Sequence, residues 1–186
     1  MVVCAGLDLS ASERRPSGVS ILEVGEDNRI ALLFAGSLYG DLEITNFILH
    51  HKASIVSIDA PLTRPKNSGH YRRVDLRAKS MGFKVLPLTW RGMNMLVNRA
   101  VKIADELRRA GLDVIETHPA SSLKSSGCGS LSALSKALGI DIPGKLTRDE
   151  ECGIVAGLVG VFYYWNKAFV IKDVDGEIYL LPRICY

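Results

Sequence analysis

Several features are missing from this 186-residue chain, and each absence removes a class of protein. No run of about 18 apolar residues exists, so no helical membrane span is expected. The first residues carry no basic segment, and Asp8 falls where the apolar centre of a secretory signal would lie; the expectation is no signal and a cytoplasmic location. Cysteine is confined to Cys4, Cys128, Cys152 and Cys185, with no CxxC pair. Scattered in this way they read as reduced thiols, not as a zinc site or a disulfide framework. GxGxxG, GxSxG and HExxH do not occur. Gly139 to Lys145 spells the P-loop spacing up to its lysine, but Leu146 replaces the required Ser/Thr, Pro143 interrupts the loop and no strand precedes it, so a P-loop is excluded. There is no internal repeat and no linker that would split the chain.

What is present fits one globular domain, residues 1–186, with 47% hydrophobic and 23% charged residues. The net charge of +3 is unevenly spread. From Arg64 to Arg109 there are 12 Lys/Arg against 3 Asp/Glu, a local balance of +9, while the remainder balances at −6. A basic middle suits a phosphate-bearing partner; the alternative is a set of solvated helix faces.

The pattern begins with Val2 to Ser10, an apolar run that reads as a buried central strand with Asp8 inside it. Gly18 to Val24 and Arg29 to Ser37 read as hairpin strands around the turn Gly25–Asn28. Asp41 to His51 is an expected helix and Ala53 to Asp59 a short strand stopped by Pro61. Thr63 to Gly69 is an expected loop, Tyr71 to Met81 a basic helix, Lys84 to Leu88 extended, and Trp90 to Ala110 a long helix ended by Gly111. Asp113 to Glu116 is a strand closed by Thr117-His118-Pro119, and Ala120 to Leu138 holds two short helices. Asp141 to Lys145 is a loop, Thr147 opens a helix to Asn166, and two apolar stretches around Asp173–Gly176 form a terminal hairpin. A leading meander followed by βα units predicts a mixed sheet with helices on its faces.

Three short strands carry or end in an acid: Asp8, Asp59 and Glu116. In an open α/β sheet, ligands sit at the carboxyl ends of parallel strands. Parallel neighbours would bring these acids together, where they repel unless a cation lies between them. Oxygen ligands alone suit Mg²⁺ or Mn²⁺, and two such ions can serve phosphodiester hydrolysis. The plainer role for each acid is to cap a following turn. Thr147 to Glu150 matches a capping box, which gives Glu150 a structural task, whereas Asp149 is open to either a ligand or a capping role. Gly153, Gly157 and Gly160 would let this last helix approach the sheet closely enough to bring Asp149 to the site. His118 can act on water or bind phosphate, or can simply pack. Arg14, Arg15, Arg64, Arg72, Arg73, Arg91 and Arg99 are candidates to track a phosphate backbone, with pairing to Asp75 the alternative for Arg72 or Arg73.

Gly6-Leu7-Asp8-Leu9, Ser57 to Leu62, Arg72-Arg73-Val74-Asp75, Val85-Leu86-Pro87, Ile115 to Pro119 and Arg148 to Gly157 occur in an order that resembles domain-of-unknown-function family 429, regarded as predicted nucleases of the RNase H-like superfamily. The resemblance implies a five-stranded mixed sheet of order 3-2-1-4-5, strand 2 antiparallel, with Asp8, Asp59 and Glu116 at its centre. The last-helix pattern of that family carries an acid and a small residue where this chain has Cys152-Gly153, so Asp149, one turn earlier, is the candidate fourth carboxylate. The expectation is an RNase H-like α/β protein hydrolysing nucleic acid, DNA or RNA, with Mg²⁺ or Mn²⁺ held by Asp8, Asp59, Glu116 and Asp149. The rivals are a non-catalytic nucleic-acid binder, favoured by Cys152, and an actin-like or sugar-kinase-like ATPase, for which one domain is too few.

Overall fold

The computed structural model describes residues 1–65, 69–142 and 144–186; parts of the expected loops Thr63–Gly69 and Asp141–Lys145 lie outside the described residues. The first strand, β1 (Val2–Asp8), pairs antiparallel with β2 (Ser17–Val24), which pairs antiparallel with β3 (Ile30–Leu38). On its other side β1 lies parallel to β4 (Ile55–Asp59), and β4 lies parallel to β5 (Asp113–Thr117). This is the order 3-2-1-4-5 with strand 2 reversed. The terminal hairpin, β6 (Phe169–Asp173) and β7 (Gly176–Leu180), is not the separate element expected. It extends the sheet to seven strands, β3-β2-β1-β4-β5-β7-β6, through a parallel Thr117–Tyr179 pair. The Thr117 hydroxyl donates to the Tyr179 carbonyl at 2.8 Å across that junction.

The helices are α1 (Asp41–His50), α2 (Arg73–Ser80), α3 (Arg91–Arg109), α4 (Pro119–Ser126), α5 (Leu131–Leu138) and α6 (Arg148–Tyr164). Strand alternation sorts the core into two layers. Ala5, Leu7, Val19, Ile21, Val56 and Ile58 face Ile44 and Ile48 of α1 and Ala100, Ile103 and Leu107 of α3. Cys4, Leu22, Val24, Ile55 and Ile115 face Ile154, Leu158 and Phe162 of α6. A third cluster packs Val74 and Ala78 of α2 on Ile171, Ile178 and Leu180 of the hairpin. The hairpin joins the sheet because its apolar face has α2 to cover it, and an isolated two-stranded hairpin is marginal in water.

The cysteines depart from expectation. Cys128 and Cys185 form a disulfide that closes a sequence separation of 57 residues and ties the C-terminal segment to the turn after α4. Cys4 and Cys152 remain thiols, and burial pushes Cys4 up to about 12. No CxxC spacing announces the pair; Ile184 and Cys185 reach it because their amides both bond the Ser126 carbonyl.

Candidate active site

The strand register decides which acids meet. Leu7 lies beside Ile58 in the parallel β1–β4 pair, so Asp8 and Asp59 end neighbouring strands at the same level. Leu7 and Ile58 face α1 and α3, so the acids that follow turn towards α6. There the Cys152 thiol stands beside Asp8 and works to lower its pKa. Burial, then the charge of Asp149, pushes the Asp8 carboxyl up to about 6. Burial, then the charges of Asp8 and Glu116, holds Asp59 well above the usual carboxylate range.

Asp149 arrives through glycine contacts. Gly18 pairs with Asp8, and a Cβ on Gly18 would lie 1.8 Å from the Asp149 carbonyl oxygen. A Cβ on Gly6 would lie 2.0 Å from the Gly153 carbonyl oxygen, and the buried Ser20 hydroxyl donates to that oxygen at 2.8 Å. The close approach expected of the α6 glycines is present, and Gly6 and Gly18 supply its other half. Glu150 caps: its carboxylate accepts the Thr147 amide at 2.8 Å and the Ser37 hydroxyl at 2.8 Å, and these bonds keep its pKa low.

Glu116 is one residue out of step. It pairs with Ile58, and Thr117 pairs with Asp59. Its carboxylate therefore leaves on the α3 side, where Arg72 meets it at 2.5 and 2.7 Å and the Leu62 amide donates at 2.8 Å. Arg72 uses all five N–H groups: two to Glu116, two to Asp75 at 2.7 and 3.1 Å, and one to the Thr63 hydroxyl at 2.9 Å. Arg72 is 1% exposed and Asp75 fully buried. Burial works to neutralise Glu116, but a permanently charged guanidinium on both of its oxygens keeps it a carboxylate.

The expected phosphate-tracking residues divide. Arg72 is interior, so it is not a surface phosphate ligand. Arg99 is buried as well: it bonds Asp41 at 2.7 Å and Ser10 at 2.8 and 2.9 Å, and tethers α3 to α1 and to the end of β1. Arg14, Arg15, Arg64 and Arg91 are exposed, and Arg73 is exposed while pairing with Asp173 at 3.3 Å. Arg15 and Asp149 share a groove with Ser10 and Met95. His118 lies half-buried, its Nδ1 2.5 Å from the Ser121 hydroxyl; burial depresses its pKa and keeps it neutral.

Asp8, Asp59, Glu116, Arg72 and His118 all line one cavity of about 220 Å³, whose remaining wall is apolar except at Asp75, Thr117 and Ser121. Among the described residues no three metal-ligating side chains come close enough to share an ion. The four-carboxylate centre expected from the sequence is therefore not assembled, since Glu116 already has its cation. Asp8 and Asp59 do fit one Mg²⁺, an ion that keeps several waters and needs only one or two carboxylates besides substrate phosphate. Sequence reading missed the closeness of the Cys152 thiol to Asp8, although its place in the last-helix pattern pointed to it, and missed Thr63, which carried no signal.

No protein-family model and no curated protein matches the chain. Solved structures do match. The chain is similar to T. thermophilus RuvC in complex with Holliday junction substrate, with 10% identity, 89% of this chain and 98% of that one covered, and a TM-score of 0.58. A second T. thermophilus RuvC structure aligns over the same shares at 10% identity and 0.55. The yeast mitochondrial Holliday junction resolvase Ydc2 aligns at 11% identity over 87% and 81%, with a TM-score of 0.51. At such identities the likeness is one of fold: this chain has the mixed α/β fold of the RuvC-type, RNase H-like proteins.

Proposed function

We propose that this protein is a nuclease of the RNase H-like superfamily, related to domain-of-unknown-function family 429, that hydrolyses phosphodiester bonds with one divalent ion, Mg²⁺ or Mn²⁺, at Asp8 and Asp59. One observation carries the reading: two acids end adjacent parallel strands in the same cavity, and among the described residues neither is ion-paired. Such a pair is stabilised by a cation. Bound there, the ion would acidify a water and offset charge on the phosphate. Asp8 and Asp59 would hold the ion, the Cys152 thiol stands beside Asp8, and Asp149 adds negative charge from the first turn of α6. Arg72 offsets Glu116 permanently, the task a second ion would have at that carboxylate. Exposed Arg14, Arg15, Arg64 and Arg91 position the backbone without reading its sequence. Among the described residues no helix is long and apolar enough to cross a membrane, and a cytoplasmic location belongs to the same reading.

A second reading is a nucleic-acid binder without catalysis, favoured by Cys152 beside Asp8 and by the commitment of Glu116 to Arg72. Incubation with single-stranded, duplex and branched DNA and RNA in Mn²⁺ separates the two, with Asp8→Asn as control. Cleavage lost in Asp8→Asn supports the nuclease; binding without cleavage by the unaltered protein supports the binder.

A further inference from the structure

The apolar part of the cavity wall serves neither an ion nor a phosphate. Leu86, Met93, Leu96, Ile178 and Leu180 contribute to it, and among the described residues no Phe, Tyr or Trp ring lines it. An anion is unwelcome there. Asp8, Asp59, Asp75 and Glu116 share the wall, and Arg72, the cation in it, has every N–H committed. The volume of about 220 Å³ lies below the roughly 300–1,000 Å³ of sites for drug-sized ligands. It exceeds the about 150 Å³ that accommodates a benzene ring. The recess thus suits one small, uncharged ring system. His118 supplies a polar anchor: Ser121 engages Nδ1, and among the described residues Nε2 has no partner.

We propose that this recess receives one unpaired nucleobase of the polynucleotide whose phosphodiester lies at Asp8 and Asp59. The inference rests on the nuclease reading above and names its substrate class. Next to a scissile phosphate, the flat neutral group of a nucleotide is its base. A base stacked in a duplex cannot enter a recess of this size, so the nucleotide is either already unpaired or drawn out of the helix. Substrates with a bulge, a junction or a single-stranded segment are therefore preferred to perfect duplex. The unpairing cost that they avoid is worth at least about tenfold in affinity.

The test uses duplexes carrying one 2-aminopurine, either paired or as a single-nucleotide bulge, with Ca²⁺ as the ion and anisotropy and 2-aminopurine fluorescence as readouts. The expected result is tighter binding of the bulged probe, by at least about tenfold, and a several-fold rise in its fluorescence, because aliphatic walls do not quench an unstacked base. Met93→Trp fills the recess and adds a quencher; it should abolish the rise and the preference, and its thermal transition shows whether it is folded. If that variant does not fold, Leu86→Trp, at a half-exposed position in the same lining, makes the same test. Equal affinity for both probes, an unchanged fluorescence, or displacement of the base by micromolar free mononucleotide would overturn the proposal. Mn²⁺ calorimetry on the unaltered protein keeps the two readings apart. Ion binding at Asp8 and Asp59 with no probe preference removes the base recess alone, whereas no ion binding removes the nuclease reading and this inference with it.

Discussion

Arg72 meets both oxygens of Glu116, at 2.5 and 2.7 Å, across 44 residues of sequence, while its other face takes both oxygens of Asp75. A single guanidinium holds two buried carboxylates at the end of β5 and at the start of α2. The arrangement fixes part of the cavity wall and commits Glu116 to a protein cation.

Removing that guanidinium strands two charges in the interior. Arg72→Met should cost about 3–5 kcal/mol, read as a fall in the urea midpoint. Arg72→Lys should recover little, because a point charge cannot supply five donors in a planar fork. A loss within about 0.5 kcal/mol, the range of ordinary surface changes, would show that the network is not what holds this corner.

Asp8 supplies a pH signature. Its carboxyl is raised from 3.8 to about 6 in the folded protein, chiefly by burial. The native state thus binds a proton that the unfolded chain releases, and stability falls as pH rises through that interval, then levels. In chelator, the loss between about pH 4 and about pH 6 should be up to about 3 kcal/mol. Asp8→Asn should remove the share of that slope due to Asp8, leaving the share due to Asp59, whose carboxyl is raised as well, and should be more stable than the unaltered protein at neutral pH. Denaturant titrations of both proteins across the range check this; parallel curves would mean that Asp8 is not the group responsible.

Cys152 stands beside Asp8 where an acid would complete the site. Cys152→Asp exchanges a thiol donor for a further carboxylate. Without ion it should lower stability through like-charge repulsion. With Mn²⁺ it should bind the ion at least about tenfold tighter, or about 1.4 kcal/mol, measured by calorimetry. Unchanged affinity would place the ion elsewhere.

Much of this was legible from one-dimensional pattern. The β1 run, the Gly25–Asn28 turn and the acid-ended strands after Ser54 and Leu112 are local signals, and they sufficed for the order β3-β2-β1-β4-β5. What failed depends on register and on contacts distant in sequence. Nothing local says that Glu116 pairs with Ile58 instead of Asp59, yet that single-residue offset turns its carboxylate to the opposite face. Arg72 looked like one more charge in a basic segment, and Arg99 likewise; both are interior because acids from other elements meet them. The Cys128–Cys185 bridge depends on the path of the C-terminal segment, which carries no periodic pattern.

The glycine contacts between β1 and α6 make a sharper test of packing. A Cβ on Gly6 would fall 2.0 Å from the Gly153 oxygen and 2.1 Å from the Gly157 nitrogen, both backbone atoms that cannot rotate away. Gly6→Ala should push α6 off the sheet and cost about 3 kcal/mol or more, the upper end for overpacking. Gly92→Ala, in the first turn of α3 where a Cβ meets nothing within 4 Å, should be neutral or slightly stabilising. Thermal melts of the pair give the comparison; similar melting points would mean that α6 does not sit this close.

Buried and exposed arginines should separate in salt dependence. Arg14, Arg15, Arg64 and Arg91 are exposed, so each phosphate contact that one of them makes releases counterions when nucleic acid binds. Replacing one such residue by Gln should weaken binding to any sequence and reduce the slope of log affinity against log salt by about 0.9 on duplex or about 0.7 on single strands. Arg99→Gln should behave differently. Arg99 is buried and commits Nε and Nη1 to Asp41 and Ser10, so its loss should lower the melting temperature and leave the slope unchanged. Fluorescence anisotropy between about 50 and 200 mM salt reads both effects. A slope that drops for Arg99→Gln and not for Arg15→Gln would reverse the assignment of which face meets the phosphates.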